Sequence, residues 1–362
     1  MEVRISSEIA EFRDGWLTLE SVGKSYVFQS YCWVENWLQT AGKTQDVKPF
    51  VVSVHHAGER KPFLIIPLAL QLIRGVRHLT ALGGFHADYA GAVLRSDVAA
   101  SYSPDTLREV IIAHAKHNSV DLIWLKSIPQ FIEEVPNPLY LIGSAPSGMA
   151  LSASLDGSWD SFYSSQVKSR IRADSRRQTR RLSDQGQLRF RIAEDAEETR
   201  RLTEVMIAQK RARYRVKSIW DQFDEKGNRE FYLGAGQGWT ACGVQVSALL
   251  LDQKVLAVHW GAVHDGRFYY LMPSHDSQWE NYSPGRLLLE HLMQWSFSNG
   301  LRVFDFTNGA EPYKLEWANV KTPLYEYRQP LTLKGRLYAA AVDTYNNRLR
   351  EKWKAILQKV GT

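Results

Sequence analysis

Asp305, Glu311, Tyr313 and Lys314 lie within one short stretch, and their types suit acid–base and anion-stabilising chemistry. Asp305 falls in an apolar run, Val303 to Phe306, where burial would raise its pKa towards that of a general base. Its competing role is to orient Lys314 or to cap the following loop. Glu311, His259 and His275 are the other candidate bases. His259 alternates with Val258 and Trp260, which is the pattern of a satisfied core histidine. Lys314 can neutralise a phosphate or an oxyanion. Upstream, Ser283-Pro284-Gly285 has the composition of a helix start, with Ser283 as N-cap and Pro284 at the first helical position. The unpaired N–H groups of such a start can hold an anion, with Gly285 leaving the backbone open and Arg286 adding a cation. The same triplet also suits an ordinary capped helix.

These side chains need elements to position them. Phe268 to Met272 reads as a buried strand. An amphipathic helix follows from Pro284, with Leu288, His291, Leu292, Trp295 and Ser296 on one face and Asn299-Gly300 as its stop. Val303 to Phe306 is the next strand. Before them, Trp239 to Leu251 and Val255 to Val263 form a hairpin around Asp252-Gln253-Lys254. The first half follows the same plan. Phe50 to His55 and Phe63 to Leu70 form a hairpin, and Arg77 to Leu82 and Ala90 to Leu94 are further strand. A helix runs from Ser103-Pro104 to about His117, and Val120 to Leu125 is a strand.

Tyr102-Ser103-Pro104 and Tyr282-Ser283-Pro284 are identical, and Ile123-Trp124 lies as far beyond the first as Val303-Phe304 lies beyond the second. The chain therefore reads as α/β, with mixed sheets in two similar halves joined by a Pro/Gly/Ser-rich linker around residues 137–157. The expected units are residues 1–145, 151–330 and a C-terminal amphipathic helix over 331–362. Gly285 aligns with Asp105, a carboxylate that would repel a diphosphate, so the second half is expected to hold the anion and the first to serve as scaffold or acceptor side.

From Tyr270 to Trp317 the sequence resembles the GNAT-type acyltransferases of the CelD/BcsL family, relatives of the FemAB aminoacyl transferases. The resemblance rests on Ser283-Pro284-Gly285, Leu287, Leu288, Gly300, Phe304-Asp305-Phe306, Gly309, Glu311, Tyr313-Lys314 and Trp317, with fainter features at Trp33, Trp37 and Asp88-Tyr89. It implies two tandem GNAT-like domains and acyl-CoA, acetyl-CoA first, as donor. Splayed strands after Phe268 would offer backbone N–H groups at Leu271 and Met272 to the donor's pantetheine arm and carbonyl. The turn from Ser283 through Pro284, Gly285 and Arg286 to Leu287 would hold its diphosphate. Asp305, Lys314, Glu311 and Tyr313 are then the catalytic candidates. The implied acceptor is an amine or hydroxyl on a small molecule or glycan precursor, as in polysaccharide biosynthesis. The alternatives are a charged tRNA as donor and a non-catalytic accessory role.

Val167 to Arg181 holds seven basic residues and one acid, and Lys168, Arg172, Arg176 and Arg180 form a stripe at helical spacing. Arg172, Arg176, Arg213, Tyr214 and His259 are the acceptor-binding candidates, although a solvated face accounts for the arginines equally well. The aromatic interleaving of single-strand binders is missing, which disfavours nucleic acid. Leu337, Ala341, Tyr345, Leu349, Trp353, Ile356 and Val360 share one face of the C-terminal helix, suited to docking or peripheral membrane contact. The net charge of +6 over 362 residues favours anionic partners. Two cysteines, Cys32 and Cys242, without metal-ligand spacing suggest reduced thiols. With no signal-peptide pattern, a cytoplasmic protein is expected. No GxSxG, P-loop, HExxH or CxxC motif occurs, so no metal is expected.

Overall fold

The computed structural model describes residues 1–97, 102–140, 143–234 and 242–345. The chain begins with β1 (Glu2–Ser6), α1 (Arg13–Val22), α2 (Tyr31–Gln39) and α3 (Ala41–Thr44). The first-half strands are β2 (Lys48–His55), β3 (Leu64–Ile73), β4 (Val76–Ala81) and the short β5 (Val93–Leu94). Next come α4 (Pro104–His117), β6 (Leu122–Pro129) and a small hairpin of β7 (Phe131–Ile132) and β8 (Val135–Pro136). The second half runs through β9 (Ala145–Ser154), α5 (Trp159–Gln166), α6 (Ser169–Ser183), β10 (Leu188–Ile192), α7 (Ala196–Lys217) and α8 (Asn228–Leu233). It continues with β11 (Val244–Leu251), β12 (Lys254–His264), β13 (Arg267–His275), α9 (Pro284–Ser298), β14 (Val303–Asn308), α10 (Pro312–Leu315) and β15 (Val320–Pro330).

Both halves share one sheet, in the order β1-β2-β3-β4-β6-β15-β9-β14-β13-β12-β11-β10. The duplication is real at the level of βαβ units. The strand pair β4/β6 is parallel at His78↔Leu122 across α4, and β13/β14 is parallel at Arg267↔Val303 across α9. The seam is made by β15, which pairs with β6 through Leu324↔Pro129 and with β9 through Val320↔Ser152.

The expected linker is only partly a linker. Residues 145–154 form β9, a strand between β15 and β14. Its small residues Ala150, Ser152 and Ala153 are buried among neighbours on both sides. A strand made by non-local pairing leaves no local signal when its residues are Ala, Ser and Gly.

One apolar core is shared by the halves, and the other belongs to the second half alone. Trp33 of α2 packs edge-on to Phe231 of α8, centroids 5.3 Å apart, and lies 5.9 Å from Trp260 of β12. Such aromatic pairs join the halves by burial and by ring quadrupoles together. Cys32 and Cys242 are bonded to each other, with Cα atoms 5.8 Å apart, which corrects the expectation of two separate thiols. Neither residue has a neighbouring cysteine in sequence to announce it.

The C-terminal helix is described over residues 333–345. Leu337, Ala341 and Tyr345, the face expected to dock, are exposed. Ala339 is buried instead, and Tyr338 packs edge-on against His78 at 5.0 Å. The rest of that stripe, Leu349 to Val360, lies outside the described residues. No described helix is long and apolar enough to cross a membrane.

Candidate active site

The strands β13 and β14 pair only from Arg267↔Val303 to Tyr269↔Asp305 and then diverge. A cleft of about 760 Å³ opens where they part. Its walls include Leu271, Ser283, Pro284, Gly285 and Arg286 at one end and Glu311, Tyr313 and Lys314 at the other. Leu287 buries its side chain in the second-half core with its N–H at the helix start, turned to the Ser283 carbonyl, and Met272 packs its side chain against the core shared by the halves. Leu271 lines the cleft, but its N–H already donates to His259 Nε2 at 3.2 Å.

The start of α9 is built to stay open. Ser283 occupies the left-handed region (φ 51°, ψ 46°), and its side chain makes no capping hydrogen bond. The amides of Arg286 and Leu287 both turn back to the Ser283 carbonyl, at 3.0 and 3.2 Å. Pro284 has no N–H, so the Gly285 amide is the free donor of this turn among the described residues. A Cβ at Gly285 would meet only His275 Nδ1 at 3.5 Å, an ordinary contact, so the glycine is not needed for packing. The sister helix α4 is closed: Ser103 Oγ accepts from Thr106 N at 3.3 Å, and Asp105 pairs with Arg108 at 3.0 Å. Arg286 is not a free cation, because Asp174 of α6 pairs with it.

At the other end, Gly309 takes φ 106°, and its ideal Cβ would lie 2.7 Å from Glu311 Oε2. Only a glycine permits that turn. Lys314 is buried, with Nζ 2.9 Å from both the Glu311 carboxylate and the Asn308 carbonyl. Burial raises the Glu311 carboxyl, but the hydrogen bond and charge of Lys314 outweigh it and hold the group below its ordinary value. Tyr313 is pushed up, by burial first and then by Glu311, so its hydroxyl keeps its proton.

Asp305 does not line this cleft. It lies 1% exposed against a separate pocket at the seam, with Tyr89, Glu133 and Arg267. Its Oδ2 accepts from Arg267 Nη1 at 2.9 Å, and its Oδ1 from Tyr89 Oη at 2.8 Å and Thr307 N at 2.7 Å. An apolar strand sequence could not show that a guanidinium faces it. The carboxylate that does reach the cleft is Asp88, from the first half, hydrogen-bonded by the Thr307 side chain. Burial pushes it up to about 6, against the lowering effects of Thr307 and Lys314. Lys210 of α7 also lines the cleft and is lowered to about 8, by burial first and then by Arg213.

Of the expected acceptor residues, Arg213 and Tyr214 are in the wall. Arg172 and Arg176 are not: Arg172 lies over the Tyr163 ring at 5.9 Å, and Arg176 is exposed on α6. His259 is fully buried, stacked on Tyr270 at 4.5 Å, and lowered to about 3 by burial and by Lys210. It is a neutral core histidine. Asp88 and Lys210 were missed as site residues. Asp88 carries only the faint Asp-Tyr signal of a loop in the other half, and Lys210 looks like one more charge on a basic helix. No group of residues suited to a metal occurs among the described residues.

Residues 169–315 match the acetyltransferase (GNAT) domain family. No curated protein sequence matches the chain. Among solved structures the chain is similar to FemX, with TM-score 0.63 and 11% identity, covering 94% of this chain and 99% of that one. A conserved protein of unknown function from Bacteroides thetaiotaomicron gives 0.58 and 9%, covering 90% and 99%. The C-terminal domain of a proposed lysylphosphatidylglycerol synthetase from Agrobacterium fabrum gives 0.56 and 13%, covering 92% and 96%. At these identities the structures establish the fold. The GNAT match spans the open helix start and the parted strands, and it is this domain match that marks the protein as an acyltransferase.

Proposed function

We propose that the protein moves an acyl group, acetyl first, from acyl-CoA to an amine or hydroxyl acceptor. The reading is carried by one observation: the parted strands β13 and β14 lie between an uncapped helix start and the Asp88–Lys314 end of the same cleft. Gly285 N–H and the dipole of α9 would hold the diphosphate. Acyl-CoA supplies a thioester carbonyl open to attack. Asp88, raised to about 6, takes the proton of the attacking group. Lys314 meets charge developing on the carbonyl oxygen, and Tyr313, still protonated, returns a proton to the departing thiolate. The acceptor enters from the first half, where a second pocket of about 490 Å³, with Trp124 and Lys126 in its wall, shares Asp88 and Asn308 with the donor cleft. Support for a glycan-precursor acceptor comes from the CelD/BcsL resemblance.

A thermal-shift panel of acetyl-CoA, longer acyl-CoAs and free CoA tests the donor site. All should stabilise the wild type and none the Gly285→Asp variant. An acid there strengthens the helix itself, so a lost shift is not lost folding. Unchanged melting of the wild type with every CoA species would remove the reading. A second donor, charged tRNA, is favoured by one feature: Arg170, Arg176, Arg177 and Arg180 are exposed on α6, which packs against α9. It requires RNA binding that weakens steeply with salt.

A further inference from the structure

The strand β14 changes register against β9 between Asp305↔Ser152 and Asn308↔Ala150, so it carries one extra residue there. Thr307 sits in that bulge with φ 57°, a conformation a β-branched residue seldom adopts. A bulge re-aims the side chains after it. Here it presents the Thr307 side chain to Asp88 and the Asn308 carbonyl to Lys314 Nζ at 2.9 Å. The bulge is pinned by Asp305, whose Oδ1 accepts the Thr307 N–H at 2.7 Å and the Tyr89 hydroxyl at 2.8 Å. Tyr89 is the neighbour of Asp88, so one carboxylate oxygen fixes both partners of the Thr307–Asp88 contact.

We propose that Thr307 and Asp305 are positioning residues for Asp88: Asp305 locks the bulge, and the Thr307 hydroxyl donates to the Asp88 carboxylate. Neither contacts the reacting atoms. The proposal rests on the reading of Asp88 as the base. The groups facing Asp88 are Lys314 and Glu311 from the α10 segment, Asp305 from β14 across the seam, and Tyr232 from α8. A hydroxyl that donates to the ionised form holds the carboxyl down. Removing it must therefore raise the Asp88 pKa.

The experiment is a carbon-13 carboxyl NMR titration of the full chain with labelled aspartate, Asp88 being assigned by its loss in Asp88→Asn. In the wild type Asp88 should titrate near 6. Thr307→Val should raise this by about one unit, a tenfold change in the ionisation constant, and Thr307→Ser should restore it. Asp305→Ala, which removes the acceptor shared by the Thr307 N–H and the Tyr89 hydroxyl, should raise the Asp88 value by freeing the bulge, whereas loss of the Asp305 charge by itself would lower it. A wild-type value in the ordinary carboxylate range would defeat the base reading itself. A value near 6 that Thr307→Val leaves in place would overturn only the positioning role. Should Thr307→Val fail to fold, Thr307→Gly, which accepts the left-handed region and carries no donor, keeps the bulge and should show the same rise.

Discussion

The Tyr89 hydroxyl of the first half donates to Asp305 Oδ1 of the second across 2.8 Å, and both groups are buried. Around this contact, Arg267 bonds Asp305 on one side and Glu133 of the first half on the other, at 2.9 and 2.7 Å. The two halves therefore meet through a paired set of buried charges as well as through the sheet. The carboxylate facing the donor cleft is held beside that set.

Arg267→Met should destabilise the protein by about 3–5 kcal/mol, because it leaves buried acids without their counter-charge. Adding Asp305→Asn should return part of the loss. Urea denaturation of the two variants measures this, and an equal loss in both would mean the pair is not coupled.

In the proposed role of base, Asp88 should tie activity to pH. With acetyl-CoA and glucosamine as probe acceptor, kcat/KM should fall as pH drops through about 6, where the carboxylate gains its proton. The stability effect has the opposite sense. A carboxyl raised in the folded state favours the protonated form, so its cost is absent below the unfolded value near 3.9 and fully present above about 6. Asp88→Asn should thus be inactive yet raise Tm at pH 8 and not at pH 4. A Tm gain of equal size at both values would show that burial of the charge is not its origin.

Lys314→Met keeps the buried stem and removes the ammonium. It should lower kcat about 10²-fold, as loss of one oxyanion donor does, with little change in CoA-induced thermal shift. A large loss of CoA binding with kcat preserved would reassign Lys314 to the donor's phosphates.

The Cys32–Cys242 bond closes a loop of 210 residues between the halves. In the chain-entropy account such a closure is worth roughly 5 kcal/mol. Reductant, or Cys32→Ser, should lower Tm by several degrees, and thiol titration of the denatured, unreduced chain should find no free cysteine. Two reactive thiols would rule the bond out.

Local signals determined much of this molecule. The strand at Phe268, the helix opening at Pro284 and the strand at Val303 are legible because hydrophobic period and cap chemistry are properties of neighbouring residues. Ser283-Pro284-Gly285 and Ser103-Pro104-Asp105 place both helix starts, but which start stays open is set by the backbone of the shared serine: Ser283 is left-handed and leaves its helix uncapped, whereas Ser103 accepts from Thr106 N. Glu311, Tyr313 and Lys314 meet in the cleft because one short helix, α10, and the residue before it carry all three. What tertiary structure decided was which side chain faces which. Asp305 reads as a base from an apolar strand, but Arg267 and Tyr89 claim it from elements distant in sequence, and Asp88 arrives at the cleft from the other half. Residues 145–154 read as a linker until strands on either side make them part of the sheet. Burial, charge pairing and strand pairing depend on contacts between distant segments, and nothing in a local run of residues records them.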